Sequence, residues 1–164
     1  MSVTITDYVD VTAKIAELNC SSPGSDLTLL PLNFDSASSV GDLRHASETS
    51  TIRKLLLQEH VPFRDLVERS QRPPYLKNKS ADLILPTLYF SALSLSQNPL
   101  LVSIALNVIS NYVYDCFRGR GAGRTVKLHI IAEDAKKGRF RQIAYEGTEE
   151  GLKTLADSIR EAVK

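Results

Sequence analysis

The sequence has no tryptophan, one methionine and only two cysteines in 164 residues. Cys20 and Cys116 stand far apart, so the chain carries neither a disulfide framework nor a Cys-x-x-Cys metal or redox pair. Two isolated thiols read as small apolar fillers in a reducing compartment. Charge of either sign is not in excess: 20 Lys and Arg stand against 19 Asp and Glu, for a net charge of +1. That balance excludes a globally basic nucleic-acid binder and a globally acidic chain. The first residues, Met1-Ser2-Val3-Thr4-Ile5-Thr6-Asp7, lack a basic segment followed by an apolar one. No secretory signal is therefore expected, and a cytoplasmic address follows. Also missing are a Gly-x-Ser-x-Gly elbow, a Gly-Lys-Ser/Thr phosphate loop and a His-Glu-x-x-His pair. Nothing signals an enzyme, a metal site or a cofactor.

What is present is ordinary in amount: 43% of residues are hydrophobic and 24% charged. Such a composition at this length predicts one globular domain that buries a real core without staples. The distribution of charge is less ordinary. Residues 1–50 carry seven acids and two bases, whereas residues 118–141 carry eight bases and two acids. Between them, Leu83 to Tyr114 holds no charged residue at all. The single domain, 1–164, thus divides into an acidic helical and irregular part (1–80), an uncharged helical core (81–117) and a basic β-hairpin with a helix (118–164).

Hydrophobic spacing predicts the elements. Tyr8, Val11, Ile15 and Leu18 recur as on a helix, with Thr6 or Asp7 placed to cap it. Leu27 to Phe34 is strand-like, and Pro31 confines it to an edge or an extended segment. A second helix is expected over about 47–60, ended by Val61-Pro62, and a short one after Pro62 through Phe63, Leu66 and Val67. The uncharged zone reads as two buried helices, 83–95 and 99–114, separated by Asn98-Pro99. The stripe of the second is Leu101, Ala105, Val108 and Tyr112, widened by Ile104 and Ile109. Val126-Lys127-Leu128-His129-Ile130 alternates as a strand, 134–138 turns, and Phe140 to Tyr145 returns. Thr148 then opens a last helix with Leu152, Leu155, Ile159 and Val163 on one face. The expected fold class is α+β: an N-terminal helical and irregular part, a central buried helix pair, and a C-terminal β-hairpin plus covering helix. A lone hairpin needs the central helices, or a partner chain along its edge, to be stable.

The stretch Arg118-Gly119-Arg120-Gly121-Ala122-Gly123-Arg124 is the clearest candidate site. Closely spaced glycines let backbone N–H groups approach an anion, and arginines add forked donors. With Lys127, Arg139 and Arg141, the residues Arg118, Arg120 and Arg124 form the expected anion or nucleic-acid contact set. The bland reading of the same stretch is a solvated connector from helix to strand. His45, His60 and His129 lack the acid or thiol spacing of a metal or hydrolytic site. Were there a hydrolytic site, His129 beside Arg124 and Lys127 is its place. Cys116 lies next to Arg118, but Asp115 opposes activation of its thiol.

Three functions stay open. The leading one is a non-enzymatic protein-interaction or accessory protein, with a protein partner or a second copy of itself. The alternative is phosphate, nucleotide or nucleic-acid binding through the basic 118–141 region. The third is membrane activity through 83–114, where Pro86, Gln97, Asn98 and Pro99 interrupt the apolar run.

Overall fold

The computed structural model describes residues 2–77, 82–118, 125–152 and 154–163. Its chain forms an α+β fold around one mixed sheet. The order along the chain is β1 (Ser2–Tyr8), α1 (Val11–Glu17), β2 (Leu27–Leu30), α2 (Thr49–Gln58), β3 (Phe63–Asp65), β4 (Leu83–Ile84) and β5 (Thr87–Phe90). There follow α3 (Ala92–Gln97), α4 (Leu101–Phe117), β6 (Val126–Asp134), β7 (Arg139–Gly147), α5 (Glu149–Leu152) and α6 (Leu155–Ala162). Across the sheet the strands run β1-β7-β6-β5-β2-β3, with β4 also paired to β6. β4 and β5 both run parallel to β6, and Leu85-Pro86 between them lets one residue slip in register.

Alternation along each strand sorts side chains to two faces. On one face, Leu27, Leu29, Leu88, Phe90, Val126, Leu128, Ile130, Ile143 and Tyr145 pack with α2, α4 and α6. On the other, Leu30, Tyr89, Ile131 and Phe140 pack with Val11, Ile15 and Leu18 of the α1 segment and with Phe34 and Leu43. Burying a side chain of this size contributes about 1.5–3 kcal/mol. The sheet therefore holds two cores at once, which explains why β2 and β5 are buried at every position.

Several expectations are corrected. Residues 2–8 are a strand, and α1 starts at Val11, where the Asp10 carboxylate accepts from the Ala13 N–H at 3.0 Å. β2 ends at Leu30, directly before Pro31, and lies inside the sheet between β5 and β3. Pro31 thus ends the strand rather than marking an edge. Residues 63–65 form the outer strand β3, parallel to β2, where a helix is expected from sequence. Residues 83–84 and 87–90 are strands, so the uncharged zone supplies two pieces of sheet, the short α3 and one long buried helix, α4. No described helix is long and apolar enough to cross a membrane. α4 begins two residues after Pro99, and its buried side is Leu101, Val102, Ala105, Leu106, Ile109 and Val113. Ile104 on its far side is exposed. The Tyr112 hydroxyl donates to the Glu48 carboxylate and ties α4 to the start of α2.

The closing hairpin matches its sequence. β6 and β7 pair from Val126↔Gly147 to Asp134↔Arg139. Gly138 closes the turn at φ +61°, a region that glycine enters without steric cost. Asp134, almost fully buried, accepts from the Lys137 N–H and the Arg139 guanidinium. Among the described residues, two non-glycine positions also take left-handed backbone: Asn19 after α1 and His60 after α2. His60 ends its helix in that way, with the Val61 N–H reaching back to the Leu56 carbonyl at 2.9 Å.

Candidate functional site

The basic residues singled out by sequence do not gather at one place among the described residues. Arg118 is exposed just past α4. Arg120 and Arg124 lie outside the described residues. Lys127 is the second residue of β6, with its ammonium 3.6 Å from the Asp82 carboxylate. Arg139 sits 3.3 Å from Asp134 at the other end of the hairpin. Arg141 pairs across the strand with Asp7 of β1, and its Nε is buried without a hydrogen-bond partner among the described residues. Register separates them further. Arg139 and Arg141 alternate with Ile143 and point to the face of α4, whereas Lys127 alternates with Ile131 and points to the opposite face. Lys127, Arg139 and Arg141 each lie against a carboxylate, and Arg141 joins the acidic start of the chain to its basic hairpin.

The histidines diverge in the same way. His129 is exposed on β6, on the face of Lys127. Partial desolvation holds it below the usual imidazole range, opposed by Asp35 and reinforced by Lys127. His60 is a helix terminator. His45 is the unusual one: it is 3% exposed, and its Nδ1 has no hydrogen-bond partner among the described residues. Its backbone is fixed on both sides, by the N–H to the Pro74 carbonyl at 3.0 Å and by its own carbonyl to Leu76 at 2.8 Å. Arg53, Asp65, Arg72 and Tyr75 gather around it. Arg53 grips Asp65 through two hydrogen bonds, at 3.1 and 2.8 Å, and Arg72 adds a third at 3.4 Å. Burial, then the Arg53 charge, push the imidazole down to about 4; Asp65 opposes this and Arg72 adds to it. His45 is therefore neutral at pH 7, packed 6.4 Å from the Tyr75 ring. Among the described residues, no three His, Cys, Asp or Glu side chains gather as a metal-ligand group.

The feature that sequence reasoning missed is β1. This strand has one neighbour, β7, and its outer edge is open among the described residues. Six of its seven residues are exposed. Val3 and Ile5, which lie beside Tyr145 and Ile143 on the α4 face, are 38% and 37% exposed. Edge strands in natural proteins are commonly blunted by Lys, Pro, bulges or shortness. β1 has none of these: its register against β7 is unbroken over seven residues, and Asp7, its one charge, is matched by Arg141. The signal was in the Val3-Thr4-Ile5-Thr6 alternation, overridden by the helical spacing that begins at Tyr8.

The chain matches no family model, no curated protein and no solved structure.

Proposed function

We propose that this chain is a protein-interaction or accessory protein that works without catalysis and associates with a second copy of itself along β1. The observation that carries this reading is the open seven-residue edge of β1. Antiparallel addition of β1 to the β1 of another copy continues the sheet across a two-fold axis. It satisfies a row of backbone N–H and C=O groups by the strand-addition mode of recognition. It also brings the half-exposed Val3 and Ile5 of both copies together on one side and Thr4 and Thr6 on the other, which adds apolar burial to the main-chain bonds. Charge adds less to such an interface, because Asp7 and Arg141 neutralise each other within one molecule.

The test is light scattering on a size-exclusion column over a wide range of loading concentrations. A dimer that dissociates on dilution is expected. Val3→Lys combined with Ile5→Lys places charge on the edge and should give a monomer with an unchanged circular dichroism spectrum. A wild-type monomer at every concentration overturns the reading, as does a dimer that tolerates both lysines. The ultraviolet absorbance ratio of the same peak reports co-eluting nucleic acid, which would favour the basic region instead.

A further inference from the structure

A cavity of about 440 Å³ opens between α1, the 20–24 segment, the carboxyl ends of β5 and β6, and the start of α3. Its size falls within the range of small-molecule sites. Its place is also the usual one: parallel strands joined by a helical crossover bind ligands beyond their carboxyl ends. Here β5 and β6 are the parallel pair, and α3 and α4 form the crossover.

The walls are mainly apolar, with Ile15 and Ala16 from α1 and Leu93 from α3. The lining holds one acid, Glu133, and no Lys, Arg or His. Glu133 is held in place from two sides. Its Oε1 accepts the Ala92 N–H at 2.9 Å, and the Tyr89 hydroxyl lies beside its carboxylate. A carboxylate offers about four lone-pair positions, so acceptor capacity toward the cavity remains. The rim opposite is fixed as well: the Ser91 hydroxyl donates to the Gly24 carbonyl at 2.8 Å and accepts the Ser94 N–H at 3.1 Å. The site is preformed, apolar in body and negative at one point.

We infer that this cavity binds a small cationic ligand, a primary or secondary amine carried on a compact apolar body. The ammonium meets the Glu133 carboxylate, and the apolar body lies between α1 and Leu93. A phosphate or carboxylate ligand meets only repulsion there, since no lining base compensates its charge. The thiol of Cys20, which also lines the cavity, serves as a reporter; burial raises it above its ordinary range, so it reacts slowly.

The experiment uses the full chain, labelled with nitrogen-15 and titrated at neutral pH with benzylamine, benzyl alcohol and benzoate. These probes share a shape and differ in charge. Benzylamine should move the amide signals of Gly24, Ala92 and Ser94 with a Kd of about 1 mM, as befits a fragment. Benzyl alcohol should bind about tenfold more weakly, the loss of one charge-assisted contact, and benzoate not at all. Alkylation of Cys20, followed by mass spectrometry, should slow in benzylamine, while that of Cys116 on α4 should not. Glu133→Gln should erase the preference for amine over alcohol and leave alcohol binding in place. If that variant fails to fold, Leu93→Trp narrows the cavity from its rim with Glu133 intact and should abolish binding of both. No signal change near the cavity with benzylamine overturns the inference. So does benzoate binding as well as the amine, or an unchanged preference in Glu133→Gln. If Leu93→Trp is the variant used, benzylamine binding that survives it, with amide signals away from the cavity unchanged, also overturns it.

Discussion

His45 makes the stability of this fold depend on pH in a calculable way. In the unfolded chain an imidazole titrates near 6.5, whereas in the fold His45 is held down to about 4. As pH falls through 6.5 the unfolded state takes up a proton that the folded state refuses until about 4. The fold thus keeps its full stability above 6.5 and loses it progressively down to 4. A gap of this size corresponds to about 3.5 kcal/mol in full, using about 1.4 kcal/mol per pH unit, of which about 3 kcal/mol is lost by pH 4. That is a large part of the total for a domain whose stability is typically about 5–15 kcal/mol. The assay is urea unfolding at stepped pH values from 7.5 to 4 for the wild type and for His45→Phe, which keeps the ring beside Tyr75 and cannot titrate. The difference between the two proteins isolates His45, since His60, His129 and all carboxylates are common to both. The wild type should lose up to about 3 kcal/mol more than His45→Phe over this range. Parallel curves, agreeing within about 0.5 kcal/mol, would refute the reasoning, because they would mean that the proton finds an accommodation the buried Nδ1 lacks.

Two further outcomes follow from the same region and its neighbour. Asp65→Ala leaves the buried Arg53 guanidinium without its bidentate partner and should cost about 3–5 kcal/mol in chemical denaturation. Arg53→Met combined with Asp65→Leu should recover most of that loss, and a double variant as unstable as Asp65→Ala would count against the ion-pair account. His60→Gly relieves a left-handed, non-glycine position at φ +55° and should stabilise the fold by about 0.5–1 kcal/mol, read as a Tm higher by about 2 °C. A lower Tm would show that the His60 side chain holds a contact worth more than the backbone relief.

The parts of the fold that could be read from sequence are those whose determinants are local. The β6–β7 hairpin declares itself through alternation on both sides of Asp134 to Gly138. The last helical segment does so through Leu152, Leu155 and Ile159, all buried as expected. α2 and the long α4 likewise follow their apolar spacing, although the buried side of α4 is rotated toward Leu106 and Val113. What could not be read depends on the sheet. β5 is covered by a core on each face, so Thr87-Leu88-Tyr89-Phe90 carries no alternation and merges with the uncharged helix that follows. β1 fails for another reason: its alternation, Val3-Thr4-Ile5-Thr6, is short and gives way to the helical spacing that begins at Tyr8. Candidate sites divide likewise. The basic residues were visible as a run, but their partners Asp7 and Asp82 lie far away in the chain. The cavity at Glu133 is assembled from three separate segments, around 12–24, 89–93 and 133, and no spacing within any one of them announces it.

The pairing of β1 with β7 also sets a timetable for folding. Residues 2–8 find their strand partners in residues 140–146, after roughly 130 intervening residues, and closing a loop of that length costs about 4 kcal/mol of chain entropy. A contact so distant in sequence lowers the folding rate and comes late, once the β5–β6–β7 platform exists to receive it. During synthesis at about 5–20 residues per second, β1 waits on the order of ten seconds for β7 to be made. Throughout that interval both of its edges are open, and Val3 and Ile5 have no sheet beside them. The strand is therefore the part of the nascent chain most exposed to capture by a neighbouring copy, or by a chaperone that holds extended apolar segments, before the domain closes around it.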